Sequence, residues 1–502
     1  MIPTTAPDYA GTPPAARPGE ALLPEAAKPA APAETPAPAA PEGESDRETE
    51  LLASLLRICG ERPANTGAAE WIAGIIAEID KRISAQINRI LHHEAFLKLE
   101  GTWRGLYYLV TRSPESHDTR IRVLNLSFRD ASRCLKKYPG TTWDQSPLFK
   151  LIYEYEFGTA GGEPFGCLIG DYYFDESPPC VEMLRGMSKI ISAAHVPFIA
   201  GLSPRIMNME SWKELENPCD YNRILNVPEY AQWHRLRDDP DSRYVALTLP
   251  RVLARVPYGC RSQSVSGMDF EEDVGAGTAR NFCWMNAAYV MGRNVILAYE
   301  KYGWCVRICN AEGGGYADLT PPRVSSAVDD ESPVYMPLET ALTDQREQEL
   351  SNNGFLVLSS LKDDRGAVFQ HGQTLYRPKI FSSVEATRNE ALSSQLPCVF
   401  AVCRFAHYIK CILRDKIGGF PNPDEAEKWL NDWLSNYVSG DPDASDEIKA
   451  KYPMSEARVR FVRRAENPGR YEVVIFLRPH YQIDGLTAAV KLTAQTLERE
   501  NA

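Results

Sequence analysis

Cys403 and His407 are the two residues whose types and spacing come closest to a reactive site. They lie four residues apart in an apolar stretch, 397–415, so a helix would place the thiol and the imidazole on one face. Nucleophilic cysteine chemistry also needs a third group to orient the base and donors for the oxyanion. The neighbouring sequence supplies neither, and we therefore interpret the pair as core residues.

Metal and phosphate sites receive no better support from the sequence. A structural zinc site needs four ligands, usually two closely spaced pairs of Cys or His residues. Cys305 and Cys309 have no second cysteine pair and no histidine nearby in the sequence. The glycine-rich stretches 274–280 and 311–316 lack a complete dinucleotide motif, and the second is interpreted as a tight turn after a strand. Glu154 and Glu156 would share one face of a strand. We predict no catalytic residue, no cofactor and no metal site.

The composition is that of a globular protein with an acidic balance. The chain has 502 residues, 44% hydrophobic and 24% charged, and a net charge of −12 at pH 7. Nucleic acid is therefore not an expected partner. No apolar run reaches the length of about 18 residues that spans a membrane, and no signal-peptide pattern occurs. The 12 scattered cysteines indicate reduced thiols, so we predict a cytoplasmic protein without membrane insertion.

Three segments are predicted before residue 112. Residues 1–47 are rich in proline and alanine and are predicted to be disordered. A short amphipathic helix over 50–59 is either a partner-binding segment or docked on its own domain; its apolar residues are Leu51, Leu52, Leu55 and Leu56. A long helix over 68–92, continuing toward 109, carries an apolar stripe that predicts packing against another long helix; the stripe includes Trp71, Ile75, Ile79, Ile83 and Ile87.

Strands and helices then alternate, which predicts an α+β (mixed α/β) fold of several domains with mixed sheets. Strand, helix and strand over 165–203 form a predicted βαβ unit. Further strands are predicted at 121–127, 243–249 and 304–310, and a long helix at 281–303. The stretch 320–340 is rich in proline, serine and acidic residues and predicts a domain boundary.

Two helices and a hairpin are predicted near the C-terminus. Glycines and prolines at 418–423 separate a helix over 397–416 from one over 424–438. The second helix has an apolar face and an acidic face, the latter formed by Asp424, Glu425, Glu427 and Asp432. ENPG (466–469) joins two alternating runs and predicts a β-hairpin with inward Val459, Phe461, Val473, Ile475 and Leu477. Because an isolated hairpin is marginal in water, it must join the main sheet or strands of another chain.

Together these segments resemble one known family, the large subunit of the type VI secretion contractile sheath (TssC/VipB family). The resemblance covers about 50–495 in order and includes ILHHEAFLKLEGTWRGLYYLV (90–110), SRYVALTLPRVLARVPYG (242–259) and RFAHYIKCILRDKIGGF (404–420). It implies a structural subunit that pairs with a small sheath subunit. The heterodimers would form a six-start helical sheath around a hexameric inner-tube protein on a baseplate, contract, and be recycled by a AAA+ unfoldase.

The resemblance also implies a role for each segment. After the tail (1–47), residues 48–110 would pack with the small subunit through the Trp71–Ile87 stripe, and Leu51, Leu52, Leu55 and Leu56 would be recognised by the unfoldase. Residues 111–335 would form a middle sheath domain. Residues 336–455 would form an inner domain whose acidic helix face meets the tube. Residues 456–502 would exchange strands between subunits, with Val459 to Leu477 as the exchanging hairpin.

Two alternatives stay open at this point. A phage-tail-like contractile sheath protein would share the inner domain, although the long helical region 68–110 argues against it because phage sheaths are usually single-chain. A cytoplasmic enzyme would instead use Cys403 and His407 or the glycines at 313–315.

Overall fold

The computed structural model describes residues 68–495, with gaps at 117, 160, 218–219, 260–264, 266–267, 269, 275–278, 320–335, 362–365, 417–421, 442–443, 464–470 and 481–489. The chain divides into two compact units, Met1–Ile76 and Ala77–Ala502. Of the first unit, the described residues 68–76 open a helix. The predicted tail 1–47 and the helix 50–59, with Leu51, Leu52, Leu55 and Leu56, lie outside the described residues.

Helices make up most of the described chain. Apart from short 3-10 turns, the α-helices of five or more described residues are α1 (Ala68–Leu91), α2 (Glu94–Thr111), α3 (Phe128–Lys137), α4 (Pro178–Ala194), α5 (Tyr221–Leu225), α6 (Ala231–Arg237), α7 (Ala288–Tyr302), α8 (Asp344–Asn352), α9 (Val384–Ser393), α10 (Leu396–Asp415), α11 (Pro423–Ser435) and α12 (Asp446–Lys451). A further helical stretch, 147–157, has π geometry over Lys150–Glu154. The predicted helix 281–303 begins later than expected, because residues Trp284–Met285 form a short strand.

A mixed sheet forms the centre of the second unit. The described strands between residues 168 and 369 are β1 (Leu168–Phe174), β2 (Phe198–Leu202), β3 (Val245–Leu249), β4 (Val252–Leu253), β5 (Trp284–Met285), β6 (Tyr316–Ala317), β7 (Leu356–Ser360) and β8 (Ala367–Phe369), and six of them form this sheet. The sheet order is β1-β2-β3-β7-β8-β6, parallel from β1 to β7 and antiparallel from β7 to β6. β4 pairs separately with β5. The predicted βαβ unit is confirmed as β1, α4 and β2.

Both faces of this sheet are covered, as parallel sheets require. Phe198 and Ala200 of β2 contribute to one apolar core, whereas the intervening Ile199 contributes to another. β3 alternates in the same way, with Leu247 on one side and Ala246 on the other. This alternation follows from the two-residue period of a strand and explains why β2 and β3 read as continuous apolar runs.

A second sheet, which is antiparallel, is formed by strands between residues 454 and 495. It consists of β9 (Met454–Arg463), β10 (Tyr471–Pro479) and β11 (Val490–Gln495) in the order β11-β10-β9. Its inner face shares one apolar core with α10, α11 and Trp304, whose ring stacks on Phe405 at 4.3 Å. The predicted hairpin is confirmed and gains β11 as a third strand. The α+β class with mixed sheets is likewise confirmed.

Two predicted strands are wrong. Residues 121–127 form no strand although apolar side chains recur there, and Val123 is 70% exposed. Residues 304–310 also form no strand; Trp304, Val306 and Ile308 are buried in cores that helices and the two sheets share. The apolar residues of 304–310 reflect burial in these cores, whereas Ile121, Val123 and Leu124 are exposed. In neither segment does a partner strand pair with the described backbone.

Candidate assembly surfaces

Cys403 and His407 are buried in the middle of α10. His407 Nε2 donates a hydrogen bond to the carbonyl of Ala194 at 3.0 Å, and the imidazole packs edge-on against Phe157. Burial raises the pKa of the Cys403 thiol well above its usual range and lowers the pKa of His407 to about 3. Both groups are uncharged at neutral pH, which is the opposite of a reactive thiolate–imidazolium pair.

The other candidate reactive residues also serve the fold. The loop 311–315 is a packed turn in which the Gly315 N–H donates to the Asn310 carbonyl, and a Cβ at Gly315 would lie 2.6 Å from the Phe369 carbonyl oxygen. Glu154 and Glu156 lie in the helical stretch 147–157 and not on a strand. Within the described residues, no cluster of His, Cys, Asp or Glu could hold a metal ion.

A line of basic side chains on α10 fastens this helix to two helix C-termini, a feature that sequence reasoning missed. Lys410 Nζ donates to the Ala193 carbonyl at 3.3 Å, one residue before the carbonyl that His407 contacts. Arg414 Nη1 donates to the carbonyls of Phe157 and Thr159, each at 3.1 Å. Cationic donors suit the negative end of a helix. Burial lowers the pKa of Lys410 to about 8.

The acidic residues of α11 do not all share one environment. Asp424, Glu425 and Asp432 are exposed, whereas Glu427 is half-buried against β9. The Glu427 carboxylate accepts a hydrogen bond from the Phe461 backbone N–H at 2.9 Å. The exposed acidic surface of α11 is therefore formed by three of the four predicted residues.

The predicted hairpin residues face inward. Val459, Val473, Ile475 and Leu477 are buried, and Phe461 is partly buried beside them. They pack with Leu430 and Leu434 of α11 and with α10 residues such as Phe405. Their side chains hold the sheet on its helices, so any strand exchange would use the main chain of the sheet.

The two N-terminal helices carry exposed apolar side chains. On α1, Ile83 is 42% exposed, and the predicted residues Trp71, Ile75, Ile79 and Ile87 are half-exposed. On α2, an outward row recurs every three or four residues, with Trp103 63% and Tyr107 70% exposed. We call this row the α2 stripe: Phe96, Leu99, Trp103, Tyr107 and Val110.

Glycines on the opposite face fix the direction in which the α2 stripe points. Gly101 and Gly105 are buried, and a Cβ on them would lie 2.3 Å from the Trp284 carbonyl oxygen and 2.4 Å from the Tyr289 ring. Only a helix face without side chains can approach so closely. The spacing of Gly101, Gly105 and the buried Leu109 is the sequence signal that could have predicted which side of α2 faces outward.

One described helix, α10, is long and apolar enough to cross a membrane by length and composition. Of the most apolar 18-residue stretch of α10, 67% is buried against other parts of the chain. Its apolar residues contact the helices and strands around it, as those of a core helix do.

Comparisons with known proteins identify the family of this chain. Two profiles match the chain: EvpB/VC_A0108, tail sheath N-terminal domain, over 73–376, and EvpB/VC_A0108, tail sheath gpW/gp25-like domain, over 385–496. The type VI secretion system sheath protein TssC1 of Pseudomonas aeruginosa PAO1 is 45% identical over 458 residues, which are 90% of this chain and 92% of that protein. The chain belongs to the TssC/VipB family of type VI secretion sheath proteins.

Proposed function

We propose that this chain is the non-enzymatic large subunit of a contractile sheath in the cytoplasm. It pairs with a small sheath subunit, and the heterodimers polymerise in a six-start helix around a hexameric inner-tube protein on a baseplate. Contraction propels the tube and delivers effectors, and a AAA+ unfoldase recycles the sheath. Membership of the sheath family supports this proposal, together with the uncharged state of Cys403 and His407.

The exposed apolar α2 stripe is the main support for the proposed pairing with a small subunit. A large, contiguous apolar surface on a subunit is a place where another protein binds. Aromatic residues such as Trp103 and Tyr107 contribute most to such contacts, because they remove much apolar area from water. We assign the small-subunit contact to the α2 stripe and to the predicted Trp71, Ile75, Ile79, Ile83 and Ile87 of α1.

Three further contacts complete the proposal. The exposed Asp424, Glu425 and Asp432 of α11 meet the tube through weak, salt-screened ion pairs. The β9–β10–β11 sheet exchanges strands with neighbouring subunits by main-chain pairing. The segment with Leu51, Leu52, Leu55 and Leu56 is recognised by the unfoldase.

Co-purification with the small subunit tests the pairing. We expect Trp103→Asp and Tyr107→Asp each to weaken binding about thirtyfold, which corresponds to about 2 kcal/mol at an aromatic anchor. Lys98→Ala is the matched control, because Lys98 lies on the same helix with its side chain 73% exposed. Wild-type affinity of both aspartate variants would contradict the assignment of the α2 stripe.

A further inference from the structure

The outer edge of β9 lies beside a helix where a strand would normally pair. β9 pairs with β10 on one side, with Val459 opposite Ile475 and Phe461 opposite Val473. On the other side lies α11, and two of its side chains reach the β9 backbone. An unpaired edge presents alternating N–H and C=O groups that recruit strands from other chains, so proteins usually block it.

Asn431 occupies this edge in the way a strand residue would. The Val459 N–H donates to Asn431 Oδ1 at 2.9 Å, and Asn431 Nδ2 donates to the Val459 carbonyl at 3.0 Å. One side-chain amide thus satisfies both backbone groups of Val459. In an antiparallel ladder a neighbouring strand makes the same two bonds to one residue.

Glu427 extends the contact by one step along the strand. Its carboxylate accepts the outward N–H of Phe461 at 2.9 Å. Residues four apart on a helix rise about 6 Å, and residues two apart on a strand rise about 6.7 Å. Glu427 and Asn431 therefore match the spacing of Phe461 and Val459 with little distortion of either element.

We propose that Glu427 and Asn431 form an edge cap that closes β9 against strand addition by a second copy of this chain. The amide reproduces the pairing of a strand, and the carboxylate places a negative charge where a carbonyl of an incoming strand would lie. A hydrogen bond to an ionised acceptor is about twice as strong as a neutral one, so the single bond of Glu427 is comparable in strength to the two neutral bonds of Asn431. The edge cap acts on β9 alone and leaves the opposite side of the sheet, at β11, for the proposed strand exchange. It goes beyond the proposed sheath function and does not depend on it.

Amide hydrogen exchange of the purified chain tests the edge cap directly. Glu427→Ala should speed exchange of the Phe461 amide about tenfold, because it removes one charge-assisted hydrogen bond. Asn431→Ala should speed exchange of the Val459 amide about tenfold, because it removes both hydrogen bonds to that residue. Glu427→Gln keeps an acceptor without the charge, so its exchange at Phe461 should lie between wild type and Glu427→Ala. Asp432→Ala is the matched control, because Asp432 is exposed on the same helix. Unchanged exchange at both amides in the alanine variants would overturn the proposal.

Self-association by sedimentation velocity tests the consequence. The double variant Glu427→Ala/Asn431→Ala should associate at concentrations about tenfold lower than wild type. Adding Ala457→Pro should reverse this association, because Ala457 lies two residues before Val459 on β9 and its N–H points to the same outer edge. Association that persists with Ala457→Pro, or a double variant identical to wild type, would refute closure of the edge. Circular dichroism that matches wild type shows that each variant is folded. Both experiments use the purified chain without a small sheath subunit. The edge cap can therefore fail while the sheath proposal holds, and the reverse.

Discussion

His407 shows how a residue type that suggests catalysis can instead join two helices. The apolar sequence around it was enough to predict a core position. Its partner, the Ala194 carbonyl, lies 213 residues earlier, and no local pattern could predict that contact. Glu427 likewise has a partner that the sequence around it could not predict. Its helical spacing placed it on an acidic face, yet its carboxylate accepts a hydrogen bond from a backbone N–H of β9.

His407 should make the protein less stable as the pH falls. Its pKa is about 3 in the folded chain and about 6.5 in the unfolded chain, so below pH 6.5 protons bind the unfolded state preferentially. Protonation would also create a buried N–H at Nδ1, an atom without a hydrogen-bond partner among the described residues. We expect a loss of about 2 kcal/mol between pH 6.5 and 5.

The comparison of wild type with His407→Gln isolates this contribution. Glutamine keeps an N–H donor for Ala194 but does not titrate, and all other ionisable groups are common to both proteins. Urea denaturation at pH 7 and pH 5 should show the difference in free energy of unfolding shifting by about 2 kcal/mol in favour of the variant. Parallel pH dependences would mean that His407 becomes protonated in the folded chain without cost.

At the level of elements, sequence periodicity predicted α4, β2, β3 and the β9–β10 hairpin because their own side chains determine which faces are buried. It failed at 121–127, where alternating apolar residues lie outside any strand. It also merged α1 and α2, which the structure separates at His92 and His93; His93 Nδ1 accepts the Ala95 N–H and caps α2. A cap of this kind depends on backbone geometry that an apolar stripe does not encode.

The close approach of α2 to its neighbours gives a prediction for two glycines. Gly101→Ala and Gly105→Ala would push a Cβ into the Trp284 carbonyl and the Tyr289 ring, and each should destabilise the fold by about 1–3 kcal/mol. Gly74→Ala is the matched control, since a Cβ there meets nothing within 4 Å. Alanine in an open helical position should stabilise by up to about 1 kcal/mol.

Thermal melting measures these opposite signs. A lowered Tm for Gly101→Ala and Gly105→Ala with a raised Tm for Gly74→Ala would establish that the glycine face is packed. A rise for all three would show that α2 is free on both sides, and the outward direction of the α2 stripe would then lose its basis.

At the scale of the whole molecule, the proposed contact with the tube depends on the exposed acidic residues of α11. Reversing charge with Glu425→Lys and Asp432→Lys should impair sheath growth around the tube, and more strongly at low salt, where screening is weakest. Asp446→Lys changes another exposed acidic residue, on α12, and serves as the control. Electron microscopy of sheaths assembled at two salt concentrations measures the effect. Equal growth of all variants would mean that the exposed acids of α11 are only solvated.

Assembly into a tubular sheath is the function proposed for this chain. Negative-stain electron microscopy of the chain co-expressed with its small sheath subunit observes that assembly directly. We predict long, hollow, helically striated tubules from the wild-type pair, and far fewer when Trp103→Asp removes the central aromatic of the α2 stripe. Co-purified proteins that remain monomers or small complexes under all assembly conditions would contradict the proposed sheath function.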